Sequence, residues 1–202
     1  NTEEMYVVDS LTNMMNYNFR QSKVSNSTFL NYKLNPKNLI KAGFNIDYLM
    51  WAHQDSIINL DTASVAFDSW SPRWNSDESS LLLQPYVQWK WKPNQKWTVN
   101  LGLHSQYLAM NNSLSVLEPR LGIKWKLKDS QSLSFGAGMH SQMQSAYLYF
   151  YQPYQNENGE YQQHNRDVGF TKSNHLVLAY DCLIGKNFRF KTETYYQQLS
   201  EV

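Results

Sequence analysis

The chain is built on a repeat of two. Across 38–50 (NLIKAGFNIDYLM) Ile40, Ala42, Phe44, Ile46, Tyr48 and Met50 form one row, and the alternate row carries Lys41, Gly43, Asn45 and Asp47. Successive side chains of a strand point to opposite faces, so one face is apolar and the other polar. The split recurs over 115–128 (SVLEPRLGIKWKLK), where Leu117, Pro119, Leu121, Ile123, Trp125 and Leu127 oppose Glu118, Arg120, Gly122, Lys124, Lys126 and Lys128. That strand runs to about a dozen residues, twice the usual length of about 5–6. Further alternating runs cover 81–91, 96–108, 132–145, 172–183 and 188–199, with weaker ones at 14–22, 27–34 and 2–8. The expected fold is all-β, an antiparallel meander of about ten long strands with no convincing helix.

The connections alternate as well. Tight-turn compositions stand at 9–13 (DSLTN), 35–37 (NPK), 92–95 (KPNQ), 128–131 (KDSQ) and 184–187 (IGKN), and longer connections at 22–27, 51–80, 109–114 and 146–171. Short turns at one end and longer loops at the other are the signature of a transmembrane β-barrel, whose strands of about 9–11 residues cross the bilayer tilted. The apolar rows named above hold no Lys, Arg, Asp or Glu, as a lipid-facing surface demands, since a basic residue at the midplane costs about 2–4 kcal/mol. Trp91, Trp97 and Trp125 fall beside the short turns, where an aromatic girdle would meet the interface. The competing architecture is a soluble β-sandwich. Net charge is +1 and charged residues make up 17%, which argues against a nucleic-acid partner and against an acidic disordered chain. No run approaches the roughly 18–20 apolar residues of a membrane-spanning helix. Cys182 is the sole cysteine, so neither an internal disulfide nor a Cys-rich metal site is possible.

With the short turns on the periplasmic side, both chain ends emerge outside, and the last strand ends without a terminal aromatic. We therefore expect 1–202 to be a segment of a larger barrel. The stretches LLLQPYVQWKWKPNQKWTVNLGLHSQYL, LEPRLGIKWKL, QSLSFGAGMHSQ and NHLVLAYDCLIGKNFRFKTETYYQQLSEV resemble the barrel portion of TonB-dependent outer-membrane receptors, particularly those of Bacteroides-like bacteria. The resemblance covers roughly 80–202, and 1–79 agrees in style more than in motif. It implies a barrel of about 22 strands with a plugged lumen, importing a scarce nutrient (siderophore, haem, cobalamin or glycan) with energy relayed by TonB. It also implies the outer membrane of a Gram-negative bacterium as location. The implied partners are membrane lipid, the chain's own plug domain and through it TonB, a small nutrient ligand and a surface lipoprotein. The plug and the TonB box are absent from these residues, and no cofactor is implied. A small self-contained pore and a soluble β-rich binding domain are the alternatives.

Two near-copies, Gly102-Leu103-His104-Ser105-Gln106 and Gly138-Met139-His140-Ser141-Gln142, begin about eight to ten residues from a short turn. Counting along the intervening strand puts Arg120 level with both histidines and Glu118 just above. His104, Gln106, Glu118, Arg120, His140 and Gln142 all fall on the polar row, with Asp47, Gln84, Tyr195 and Gln197 near the same height. They form either a lumen-lining belt that meets a plug or substrate, or a hydrogen-bonded lattice filling the wall. His104 and His140 stand on alternate strands, on the order of 10 Å apart, so no metal site is expected. Ser105 and Ser141 each follow a histidine directly and so point away from it, which excludes a Ser-His pair within one strand. No nucleophile elbow, metal-binding helix or phosphate loop occurs, and no enzyme is expected. In the long connections Trp51, Trp70, Trp74, Tyr154 and Tyr161 are candidate extracellular ligand contacts, as exposed rings that stack on sugars or aromatic chelators. Tyr147, Tyr149 and Tyr151 are expected at the outer girdle or in a strand extension. Asp55, Asp61, Asp68, Asp77 and Glu78 fit no calcium motif and read as a solvated loop.

Overall fold

The computed structural model describes residues 13, 15–58, 70–151, 154–155 and 161–201. In chain order the strands are β1 (Met15–Asn35), β2 (Asn38–Ile58), β3 (Trp70–Trp91), β4 (Trp97–His104), β5 (Tyr107–Leu108), β6 (Ser113–Leu114), β7 (Glu118–Lys128), β8 (Gln131–Gln142), β9 (Tyr154–Gln155), β10 (Tyr161–Gln162), β11 (Thr171–Ile184) and β12 (Phe188–Ser200), with one short helix, α1 (Ala146–Tyr149). The main sheet is antiparallel and runs β1-β2-β3-β4-β7-β8-β11-β12. It curls into a half-barrel, and residues from β2 to β12 share one concavity on its inner face.

Register settles which residues share a face. One ladder row reads Lys41, Gln88, Gly102, Arg120, Gly138, His175 and Gln197 from β2 to β12. This is the polar, inner face. The alternate face is apolar: Leu101, Leu121, Ala137 and Leu176 form one of its rows, and Val99, Ile123, Phe135 and Leu178 the next. Trp97 and Trp125 stack on this outer face at 5.2 Å near the turn end, and Trp89 stacks on Trp91 at 6.0 Å. The turns are held by side chains whose own geometry closes a bend. Asn35 Oδ1 accepts from the Lys37 N–H at 2.9 Å, and Asn94 Oδ1 accepts from the Lys96 and Trp97 N–H groups. At the last turn Gly185 takes φ +64°, a conformation that side-chain-bearing residues rarely adopt.

Four expectations are corrected. The runs 14–22 and 27–34 are one strand: the Ser/Asn-rich stretch 22–27 reads locally as a loop, but β2 supplies its partners. Ser27 donates to Asn45 at 2.7 Å and Lys23 pairs with Asp47 at 3.5 Å. The chain therefore enters β1 at the long-loop end, Met15 beside Ile57, opposite the end to which a turn at 9–13 was assigned. The expected strand 2–8 and most of that turn lie outside the described residues. Second, 51–58 and 70–80 extend β2 and β3 rather than forming a loop. Third, the run 96–108 keeps one register against β3 (Tyr86 faces His104, Leu83 faces Tyr107). On its other side it slips by one residue between His104/Glu118 and Tyr107/Leu114. Finally, 146–149 is helical.

The core lies on the inner face at the long-loop end. Leu49, Trp51, Trp74, Leu82 and Leu108 from the wall pack against Ala146, Tyr149, Phe150 and Phe170. Ala146, Tyr149, Phe150 and Phe170 thus fold inward over the wall. Asn111 Nδ2 donates to the Arg166 and Val168 carbonyls, and Arg166 pairs with Glu78 at 3.2 Å. Gln144 N–H donates to Tyr149 Oη at 3.1 Å.

Candidate functional site: a polar belt beneath an aromatic cap

The one-residue slip after His104 builds the centre of the belt. Gln106 stays in register with β3 yet loses its ladder neighbour on β7. Its main chain bonds to Ser115, and its side chain turns into the wall. Gln106 Nε2 donates to Glu118 Oε1 at 3.2 Å and to the Ser141 carbonyl, while its Oε1 accepts from Gln84 Nε2 at 3.0 Å. Glu118 is fully buried. Its Oε2 accepts from His104 Nδ1 at 2.8 Å and from Arg120 Nη2 at 3.2 Å. A carboxylate without solvent thus receives the Arg120 guanidinium, the His104 imidazole and the Gln106 amide, donors such as a buried charge requires.

A second network stands beside it, and its donors and acceptors close into a ring. Gln197 Nε2 donates to Ser173 Oγ at 2.8 Å, and Ser173 bonds His175 Nε2 at 2.8 Å. His175 Nδ1 bonds Tyr195 Oη at 2.9 Å, and Tyr195 donates to Gln197 Oε1 at 2.6 Å. The ring is satisfied when His175 is neutral and carries its proton on Nδ1. His140 packs edge-on against His175, ring centroids 4.8 Å apart.

The structure therefore brings His104, Gln106, Glu118 and Arg120 into one hydrogen-bonded unit, with Gln84 added. His140 and Gln142 line the same cavity of about 610 Å³. Tyr195 and Gln197 belong to the ring, whereas Asp47 pairs with Lys23 on β1. Ser173 and His175 were not singled out in the sequence, although parity along 172–183 places His175 on the polar row.

The aromatic candidates separate. Trp51 and Trp74 are 2% and 4% exposed, so the expectation of open rings is corrected for both. Trp74 lies parallel to His53 at 4.4 Å and touches Tyr147 at 4.7 Å, and Trp51 meets Phe150 at 5.3 Å. Tyr149 is fully buried, hence neither in a girdle nor in a strand, and burial pushes its phenol pKa up. Trp70 remains exposed. Tyr154 and Tyr161 fall on the β9–β10 ladder, paired with Gln162 and Gln155, and their side chains lie outside the described residues. Asp61 and Asp68 also lie outside them.

Among the described residues, the indole N–H groups of Trp51 and Trp74 and the Ser76 hydroxyl are buried without a hydrogen-bond partner. Each such group costs about 1–3 kcal/mol, so the cap is held by ring contacts against a polar penalty. Phe150→Ala is expected to loosen it. The check is oxidation of Trp51 by N-bromosuccinimide, read by mass spectrometry, which should be faster in the variant than in the parent chain.

No protein-family model and no characterised relative matches the sequence. Solved structures do match in fold. The chain is similar to the copper transporter OprC, with TM-score 0.66, 11% identity, 92% of this chain and 31% of that one covered. It is also similar to the siderophore receptor PirA from Pseudomonas aeruginosa, with TM-score 0.52, 11% identity, 94% of this chain and 50% of that one covered. The chain spans at most half the length of the two proteins, a transporter and a receptor.

Proposed function

We propose that the chain is part of the barrel wall of a TonB-dependent outer-membrane receptor that imports a small nutrient. The observation that carries this reading is the contrast between the two faces. Leu101, Leu121, Ala137 and Leu176 cross four strands without a charge, while the row behind the same backbone holds Arg120 and His175. A lipid-facing exterior around a polar interior produces that pattern. On this reading residues 1–202 are a partial barrel domain in a Gram-negative outer membrane, of Bacteroides-like origin, whose lumen is filled by a plug lying outside these residues.

The polar belt then faces the plug or passing substrate, and the cap narrows the extracellular mouth above it. Trp70, Tyr154 and Tyr161 stand as candidate ligand contacts at that mouth, with Trp51 and Trp74 reachable once the cap lifts. Two proteins of this fold carry copper and a siderophore in their names, and we propose a cargo of the siderophore, haem, cobalamin or glycan class. The chain performs no covalent chemistry, and a surface lipoprotein is a further proposed partner. The decisive test is the mass of the native product in outer-membrane fractions, together with energised uptake. A product several times larger than 23.8 kDa whose cargo uptake requires TonB is expected. A membrane product of 23.8 kDa would indicate a self-contained barrel, and a monodisperse product in plain buffer would sink the membrane reading.

A further inference from the structure

The net charge of +1 conceals a strong segregation. On the inner face toward the turn end, Lys33, Lys41, Lys90, Lys124 and Lys126 share the polar rows. Among the described residues the carboxylates on that part of the face are Asp181, held by Arg189, and Glu193, held by Lys191 at 2.8 Å, with Asp129 at the β7–β8 turn lining the same cavity as Lys124 and Lys126 but at ion-pair distance from neither. Among the described residues none of the five lysines has a carboxylate at ion-pair distance. Lys41 instead lies over the Phe29 ring at 4.2 Å. Lys90, Lys124 and Lys126 are exposed on the open face.

Such a surface repels itself unless something of opposite sign covers it. Its width decides the kind of cover. From Lys33 on β1 to Lys124 on β7 is four ladder steps, about 20 Å at about 4.8 Å per step. A single small anion spans one or two of these lysines; a polypeptide surface spans all five. The shape agrees. Lys41, Lys90 and Arg120, with the amides of Asn31, Gln88 and Asn100, rim a cavity of about 490 Å³ whose floor includes Gly102 and Gly122. Gly136 and Gly138 continue that floor on β8. None of these four glycines has positive φ, and a Cβ on any of them would meet its nearest neighbour at 3.5 Å or beyond. Neither backbone conformation nor packing within the wall calls for glycine there, and the floor is left at backbone level for close approach.

We propose that this lower inner wall docks an acidic polypeptide surface, a segment bearing clustered Asp and Glu that seats on the glycine floor with its carboxylates among the lysines. The proposal rests on the reading of this face as the lumen, and it adds the chemistry of what fills the lumen there. Charge complementarity sets both register and encounter in such a contact.

The test uses the full-length protein in native membranes. Carbodiimide treatment, which couples an amine to a touching carboxylate, is followed by peptide mapping. Links from Lys41, Lys90 or Lys124 to Asp or Glu beyond residues 1–202 are expected, and they should weaken in about 1 M salt, where screening shrinks to about 3 Å. Two results overturn the proposal. If the lysines form no links and acetylate freely with a water-soluble ester, the wall is a bare path for anionic solutes. If they form no links yet resist acetylation, the covering surface is not acidic. The face assignment is read separately, by placing bimane on Leu101→Cys in a Cys182→Ser background and adding nitroxide-labelled lipid. Quenching supports the lumen reading. Its absence would overturn that reading and the docking proposal with it.

Discussion

Leu101→Lys is expected to destabilise the folded protein by about 2–4 kcal/mol in a bilayer, while Asn100→Lys, one residue earlier on β4, stays within about 0.5 kcal/mol. The two positions receive the same side chain at nearly the same height and differ in face alone. Leu101 lies between Trp89 and Leu121 on the outer row, so its ammonium would sit in hydrocarbon far from the turn-end interface. Asn100 lies between Lys90 and Gly122 on the inner row, where a new charge faces the polar interior rather than hydrocarbon and joins the lysines already there. The measurement is the urea midpoint of the full-length protein in lipid vesicles, with unchanged slope as the sign that compactness is unaltered. Equal shifts for the two variants would mean that both faces are wet, and the barrel assignment would fall. A large shift for Asn100→Lys alone would mean that the faces are exchanged. The same contrast in plain detergent should be smaller, because a micelle deforms around a charge more readily than a bilayer.

This test is available because face and height were legible in the residues. Strict alternation in 38–50 and 115–128 fixes the face, and a tight turn fixes the origin from which height is counted. Those two facts bring His104, Arg120 and Glu118 to one part of the wall, with Arg120 level with the histidines and Glu118 just above. The register corrects the heights, setting Glu118 opposite His104 and Arg120 opposite Gly102 and Gly138, and Glu118 bonds both His104 and Arg120. The slip after His104 was not legible. It arises from one extra residue, Val116 and Leu117 standing where the facing strand has Ser105 alone, and that apolar pair looks like any other in sequence, yet the slip is what turns Gln106 into the wall. Composition misled at 22–27, where Ser and Asn carry a turn signal that is overridden by partners about 20 residues away. The cap failed for a further reason. Tyr147, Tyr149 and Tyr151 are spaced by two and imitate a strand, but their conformation is set by Trp51 and Trp74 across the concavity. Nothing local in 146–151 announces a contact with residues almost 100 positions earlier.

Glu118→Ala is expected to cost the wall about 3 kcal/mol, because it removes the acceptor of the buried Gln106 and the nearly buried His104, while Arg120, its side chain 38% exposed, stays within reach of water. Glu118 is fully buried, His104 has its side chain 12% exposed, and Gln106 is itself buried. Loss of the carboxylate leaves the Arg120 guanidinium, whose Nε already lacks a partner, without a counter-charge. It also releases Gln106, which at present caps the Ser141 carbonyl above the point where β7 stops. Glu118→Gln keeps the shape and removes the charge, and about 2 kcal/mol is expected, in the range of a charge-assisted hydrogen bond. The decisive comparison is the double variant Glu118→Gln/Arg120→Gln. If the pair acts as a unit, the double variant is less destabilised than the sum of the singles, and the coupling reports the contact directly. Urea unfolding followed by fluorescence gives all four values. A cost below about 1 kcal/mol for Glu118→Ala would show that water enters on truncation and that the belt is not a sealed lattice. The outcome also bears on function. On the importer reading proposed above, a belt that holds the wall together through Glu118 leaves His140 and the Ser173-His175-Tyr195-Gln197 ring as the part of this surface to meet a cargo. Substitutions there should alter uptake while leaving the urea midpoint in place.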